Sequence, residues 1–78
     1  MKDPTIEMTE VKGSSNIAAM GYDKETSTMR VRFHGGREYD YHGVPLAIFQ
    51  RVCVSESVGR AFIRDVRKAY DGRRVGQQ

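Results

Sequence analysis

The sequence predicts a small α+β domain, a three-stranded antiparallel β-meander followed by two α-helices packed on one face, in the order β-β-β-α-α. Three observations carry this reading. Residues 28–34 alternate apolar and polar side chains, the signature of a half-buried strand, and Ile17–Tyr22 and Arg37–Tyr41 flank them beyond short polar or glycine turns. After Gly43-Val44-Pro45 the apolar period lengthens to the helical one. A chain of 78 residues leaves room for one domain, in which consecutive strands with short turns pair as antiparallel neighbours.

Residues 1–13 read as a flexible tail: they are polar, contain Pro4, and end at the turn formers Gly13-Ser14-Ser15-Asn16. The folded domain is expected over residues 14–72, with a second tail over 73–78 that has no apolar anchor. The first strand is expected from Ile17 to Tyr22, with its Ile17-Ala18-Ala19-Met20 stretch on an open edge able to pair with a second chain. Asp23–Ser27 forms a polar hairpin turn. The second strand, Thr28–His34, places Met29, Val31 and Phe33 on one face and Thr28, Arg30, Arg32 and His34 on the other. Gly35-Gly36 signals another hairpin, because glycine reaches the positive φ of tight turns, and the third strand follows over Arg37–Tyr41.

Proline suits the first position of a helix, so a helix is expected over Pro45–Val54 with Leu46, Phe49, Val52 and Cys53 on its apolar face. Ser55-Glu56-Ser57 interrupts it, and Ser57 is placed to cap the next helix. Val58, Phe62, Ile63, Val66, Ala69 and Tyr70 fill one face of that second helix, and Gly72 stands where a C-capping glycine would end it.

Charge is distributed unevenly. Residues 1–29 hold three lysines against five carboxylates, whereas residues 30–78 hold nine arginines and Lys68 against five carboxylates, within a net charge of +3. Arginine suits phosphate and carboxylate partners because its guanidinium is planar and bidentate. In the second helix Arg60, Arg64, Arg67 and Lys68 fall opposite the apolar stripe, where they could follow a phosphate backbone or simply serve as the solvated face of an amphipathic helix.

The second candidate surface depends on strand register. A two-residue Gly35-Gly36 loop puts Arg32 opposite Tyr39 and Arg30 opposite Tyr41, so arginines and tyrosines share the face away from the helices. That layout can hold single-stranded nucleic acid, with bases stacked on rings and phosphates on guanidinia. A three-residue loop shifts the register by one and puts Tyr39 and Tyr41 with Val31 and Phe33 under the helices. Both registers fit the sequence.

Catalysis is not expected. His34 and His42 fall at opposite ends of the second hairpin, Cys53 lies on an apolar helix face and is expected in the core, and no CxxC, HxxxH or DxD spacing offers a metal site. The Ser57-Val58-Gly59-Arg60 helix start is read as an N-cap followed by a glycine that allows close packing. No cofactor is implied. A single cysteine, no apolar run near the roughly 20 residues of a membrane span, and an N-terminal MKDPTIEMTE without an apolar core point to a cytoplasmic protein that does not enter membranes.

Ser14-Ser15-Asn16-Ile17, Gly21-Tyr22-Asp23, Met29-x-Val31-x-Phe33, Tyr39-x-Tyr41, Gly43-Val44-Pro45, and Ser57-x-Gly59 followed by Phe62, Ile63 and Tyr70 occur in this order, and together they resemble the KTSC domain. The resemblance covers residues 11–71. It departs from the family pattern at Arg37 and Glu38, where an apolar residue fits better. KTSC domains occur alone in small bacterial and phage proteins and at the C-terminus of some lysyl-tRNA synthetases. The resemblance therefore implies RNA as a partner and carries over no catalytic residue; only Tyr39 and Tyr41 match a named family motif. The expectation is a non-catalytic, monomeric module that binds tRNA-like or single-stranded RNA through Arg30, Arg32, Tyr39, Tyr41, Arg60, Arg64, Arg67 and Lys68. The alternative is a protein-interaction module or homodimer that takes an acidic partner.

Overall fold

Five strands, rather than three, form one antiparallel sheet in chain order. They are β1 (Thr9–Glu10), β2 (Ile17–Asp23), β3 (Thr28–Phe33), β4 (Glu38–His42) and β5 (Gly72–Val75), with helices α1 (Leu46–Cys53) and α2 (Val58–Phe62) between β4 and β5. The computed structural model describes residues 6–75; residues 1–5 and 76–78 of the two expected tails lie outside the described residues. The α+β class and the central meander of β2, β3 and β4 stand, but the tails were misread. Thr9 and Glu10 pair with Met20 and Ala19, and Gly72–Val75 pairs with β4, Tyr41 opposite Gly72 and Tyr39 opposite Arg74. These polar segments have no apolar alternation; backbone pairing to a neighbouring strand recruits them. β2 is consequently an inner strand, and the Ile17–Met20 stretch expected at an open edge is covered by β1.

The β3–β4 loop has three residues, His34, Gly35 and Gly36. Phe33 N–H donates to the Arg37 carbonyl at 2.8 Å and Gly36 N–H to the Phe33 carbonyl at 2.9 Å, while both glycines take positive φ, +103° and +95°. Val31 therefore lies opposite Tyr39, Met29 opposite Tyr41, Arg30 opposite Asp40 and Arg32 opposite Glu38. The arginines and tyrosines do not share a face. The two tyrosines face the helices with Val31, and the charged residues pair on the outer face. A bulge at Ala18 lets Ile17 and Met20 both reach the helix side.

The core lies between the sheet and the helices, with Ile17, Met29, Val31, Val44, Val52, Phe62 and Val66 fully buried. Tyr22 fixes the entry to α1: its hydroxyl donates to the Val44 carbonyl and its ring stacks on Phe49 with centroids 5.1 Å apart. Pro45 occupies the N-cap position of α1, one residue before the first helical one. Burial on α1 centres on Val52, with Ile48 and Phe49 packed against the core; Leu46 is exposed, and so is Cys53, against the expectation that it would be buried. The helix is short and packs through Ile48, Phe49 and Val52, so the two ends of the expected stripe, Leu46 and Cys53, reach solvent.

Ser57 caps α2 as expected, its Oγ accepting from Arg60 N–H at 3.4 Å. α2 then continues as a π-helical turn, Ile63–Arg67. The wider turn breaks the regular helical spacing, so Phe62 and Val66 are buried whereas Ala69 is exposed. Gly72 is not a C-cap. It opens β5 at the point where a Cβ would lie 2.4 Å from Tyr41 Cε2, so the close approach of β5 to the Tyr41 ring requires the missing side chain.

Gly72→Ala is accordingly expected to destabilise the domain by about 1–3 kcal/mol, as overpacking against a fixed ring does. Val54→Ser, at a residue 82% exposed, should stay within about 0.5 kcal/mol of the parent. Urea unfolding of the two variants side by side checks both.

Candidate functional site

The eight residues nominated from the sequence separate into three groups. On the outer sheet face, Arg30 donates from Nε and Nη2 to Asp40 at 2.7 and 3.0 Å, and Arg32 Nε donates to Glu38 at 2.7 Å. Cross-strand register makes these pairs, and it commits both guanidinia to carboxylates of the same sheet. Arg64 is likewise engaged by its neighbour Asp65, with Nε to Oδ1 at 2.9 Å. That hydrogen bond, above all, holds the Asp65 carboxyl below the usual carboxylate range; burial opposes it and the charges of Arg64 and Arg51 add to it.

Arg60, Arg67 and Lys68 are exposed, and among the described residues none is in an ion pair. The expected continuous basic row is nonetheless divided. Arg60 lines a groove of about 700 Å³ between the residue 9–16 segment and the α1–α2 corner, together with Lys12 but also Glu10 and Glu56. Arg67 lines a separate open groove of about 520 Å³ between the β3–β4 end of the sheet and α2. Ser14 and Asn16 approach Gly59 between the two, where a Cβ would be 3.4 Å from Ser14 Oγ. A side chain at Gly59 would meet its neighbours at ordinary contact distance, so the close packing expected of that glycine is not required here.

The smaller groove brings Tyr39, Tyr41 and Arg67 together, and Arg37 and His34 join them. Among the described residues no carboxylate lines it. Phe33 and Phe62 complete an aromatic wall: Phe33 meets Tyr39 and Phe62 edge-on at 5.9 and 5.8 Å, and Tyr41 meets Phe62 edge-on at 5.2 Å. Tyr39 is half-buried and Tyr41 is buried, so Tyr41 cannot serve as the open stacking surface that the two-residue loop implied. His34 Nε2 donates to the Ser14 carbonyl at 3.0 Å, tying the loop to the segment that separates the grooves. Arg37 was read only as part of the third strand, and Arg74 as part of a tail. Arg74 lies opposite Tyr39 in the ladder and therefore projects from the same face. The signal for Arg37 is its position two residues before Tyr39, on the same face of an extended strand; Arg74 carries none, since nothing in the sequence marks β5.

Other chemistry is sparse. His42 is at the far end of β4 from His34, with Nδ1 3.3 Å from Thr28 Oγ1. Cys53 stands on the rim of the larger groove, its thiol pushed up by partial burial. Among the described residues no cluster of His, Cys, Asp or Glu could hold a metal ion, and no helix is long and apolar enough to cross a membrane.

This sheet, its two helices and the paired tyrosines place the chain in a known class: it belongs to the KTSC domain family, whose model matches residues 13–70. A crystal structure of a KTSC domain protein from Yersinia pestis superposes with a TM-score of 0.84 at 29% identity, covering 92% of this chain and 100% of that one. A protein of Tsukamurella paurometabola is 43% identical over 47 residues, which is 60% of this chain and 70% of the relative.

Burial pushes the Tyr41 phenol above its ordinary value, the Arg67 guanidinium pulls it down, and Tyr39 adds to the rise. The fold thus favours the neutral phenol. Its contribution to stability is whole below the ordinary phenol value of about 10 and is lost as pH rises through the higher folded value. Tyr41→Phe should flatten the loss of stability above about pH 10, which urea unfolding at a series of alkaline pH values would measure.

Proposed function

We propose that this domain is a non-catalytic module that binds single-stranded or tRNA-like RNA at the smaller groove and along the cations around it. One observation carries the reading: among the described residues, an aromatic groove has no carboxylate in its lining and is flanked by arginines that are in no ion pair. Arg37 and Arg67 line the groove, Arg74 lies opposite Tyr39 in the sheet, and Lys68 is exposed next to Arg67 in the chain, while Arg60 belongs to the larger, mixed-charge groove. Phosphate neutralisation by such cations releases counterions and makes binding salt-dependent, while a half-buried tyrosine offers contact to a base or sugar. Arg30, Arg32 and Arg64 drop from the binding set, because contact with a phosphate would have to compete with an existing carboxylate.

A second reading follows from β5, an edge strand that carries exposed Arg73 and Arg74. Its open backbone edge suits an acidic extended segment added as a further strand. A mass that rises with concentration, in a protein that binds no RNA, would favour this version.

Fluorescence anisotropy with a mixed single-stranded RNA pool and bulk tRNA, at about 50 and about 200 mM salt, tests the RNA reading. Micromolar binding that weakens steeply with salt is expected. Arg67→Gln should lower the slope of log K against log salt by about 0.7, whereas Arg32→Gln should leave it unchanged. Equal effects of the two variants would remove the distinction between free and paired arginines on which the site is drawn.

A further inference from the structure

Tyr41 is nine-tenths buried and polar, and it lines the smaller groove. Its ring is held on three sides: Phe62 meets it edge-on at 5.2 Å, Tyr39 lies tilted at 6.5 Å, and β5 passes so close at Gly72 that a Cβ there would clash. Its hydroxyl has no such support. Among the described residues no protein group hydrogen-bonds it, and no unpaired side-chain oxygen is sealed from solvent, so the hydroxyl of this groove-lining residue keeps access to solvent. The core therefore uses the ring and makes no use of the oxygen; for packing alone, phenylalanine would serve as well. Arg67 acts on this phenol electrostatically from the helix side of the same groove, and no carboxylate in the lining competes for it.

We propose that Tyr41 and Arg67 form a seat for one backbone phosphate of an RNA strand, the phenol donating a hydrogen bond to a non-bridging oxygen and the guanidinium neutralising the charge. The inference deepens the RNA reading and rests on it. A phosphodiester is a monoanion with two non-bridging oxygens, which matches one neutral donor beside one cation. Tyr39, half-buried next to this pair, lies where the sugar or base attached to that phosphate would pack. The two tyrosines of the motif then have different duties: Tyr41 holds the phosphate from within the core, and Tyr39 touches the nucleoside.

The test uses the full chain, a fluorescein-labelled mixed-sequence single-stranded RNA, and anisotropy at about 50 and about 200 mM salt. Tyr41→Phe should weaken binding by about tenfold at both salts with an unchanged salt slope, because it removes a neutral donor. Its stability to urea at neutral pH should be no lower than that of the parent. Arg67→Gln should weaken binding and also lower the slope by about 0.7. Parent-like affinity in Tyr41→Phe, with the parent binding steeply with salt, would overturn the phosphate seat and leave the RNA reading standing. A marked loss of stability in Tyr41→Phe would assign the hydroxyl to the fold and also overturn the seat. Failure of the parent to bind RNA at the lower salt would overturn the RNA reading itself, and the seat with it.

Discussion

The loop between β3 and β4 sets the face of every side chain in β4, and a difference of one residue reverses all of them. With His34, Gly35 and Gly36 in the loop, Tyr39 and Tyr41 meet Val31 and Met29 under the helices, and Arg30 and Arg32 meet Asp40 and Glu38 outside. With only the two glycines in the loop, Asp40 would face Val31 and Glu38 would face Phe33, which puts two carboxylates against the helices. A buried charge without a partner costs several kcal/mol, more than one loop residue can offset in a domain this small. The register is thus decided by where Glu38 and Asp40 can go rather than by the tyrosines. The core, the outer-face ion pairs and the groove all follow from it.

The second constraint is space around two glycines. β5 approaches the Tyr41 ring only because Gly72 has no side chain, and the residue 6–8 segment crosses β2 at Gly21, where a Cβ would lie 2.2 Å from the Glu7 carbonyl oxygen. Each contact lets a terminal segment extend the cover of the central meander, the first of them burying Ile6. The strands at the two edges are themselves polar: Thr9 and Glu10 on one side, Arg73 and Arg74 on the other. Polar edges of opposite charge give the sheet little tendency to pair through apolar surface.

These features explain what could be read from the sequence and what could not. β3 and β4 announce themselves because each carries apolar or aromatic residues at period two between turn formers, β2 by its apolar run before a polar turn, and Ser57 is a cap that acts locally. The edge strands Thr9–Glu10 and Gly72–Val75 are short, mostly polar stretches held by backbone pairing, which hydropathy does not mark. Cys53 was assigned to the core from its spacing, but α1 touches the sheet through Ile48, Phe49 and Val52, and a single residue past that contact is exposed. The π-helical turn is equally silent in the sequence, as is the approach of Ser14 and Asn16 to Gly59 between the grooves that hold Arg60 and Arg67. One signal was present and went unused: Glu38 and Asp40 alternate with the two tyrosines, and pairing them with Arg30 and Arg32 selects the longer loop.

The candidate site illustrates why net charge is a poor guide to anion binding. A charge of +3 spread over thirteen cations and ten carboxylates says little until the structure sorts them. Arg30, Arg32 and Arg64 are neutralised within the domain, and the larger groove mixes Lys12 and Arg60 with Glu10 and Glu56. Among the described residues, the guanidinia of the smaller groove face a lining without carboxylates, and low-dielectric walls beside charge of one sign concentrate the field that attracts an anion. Tyr41 is buried in that lining, and the register that buries its ring keeps the carboxylates of β4 on the opposite face of the sheet. The packing that excluded an open aromatic platform thus produced a narrower site, in which one tyrosine is anchored by the core and the other is left half-exposed beside it.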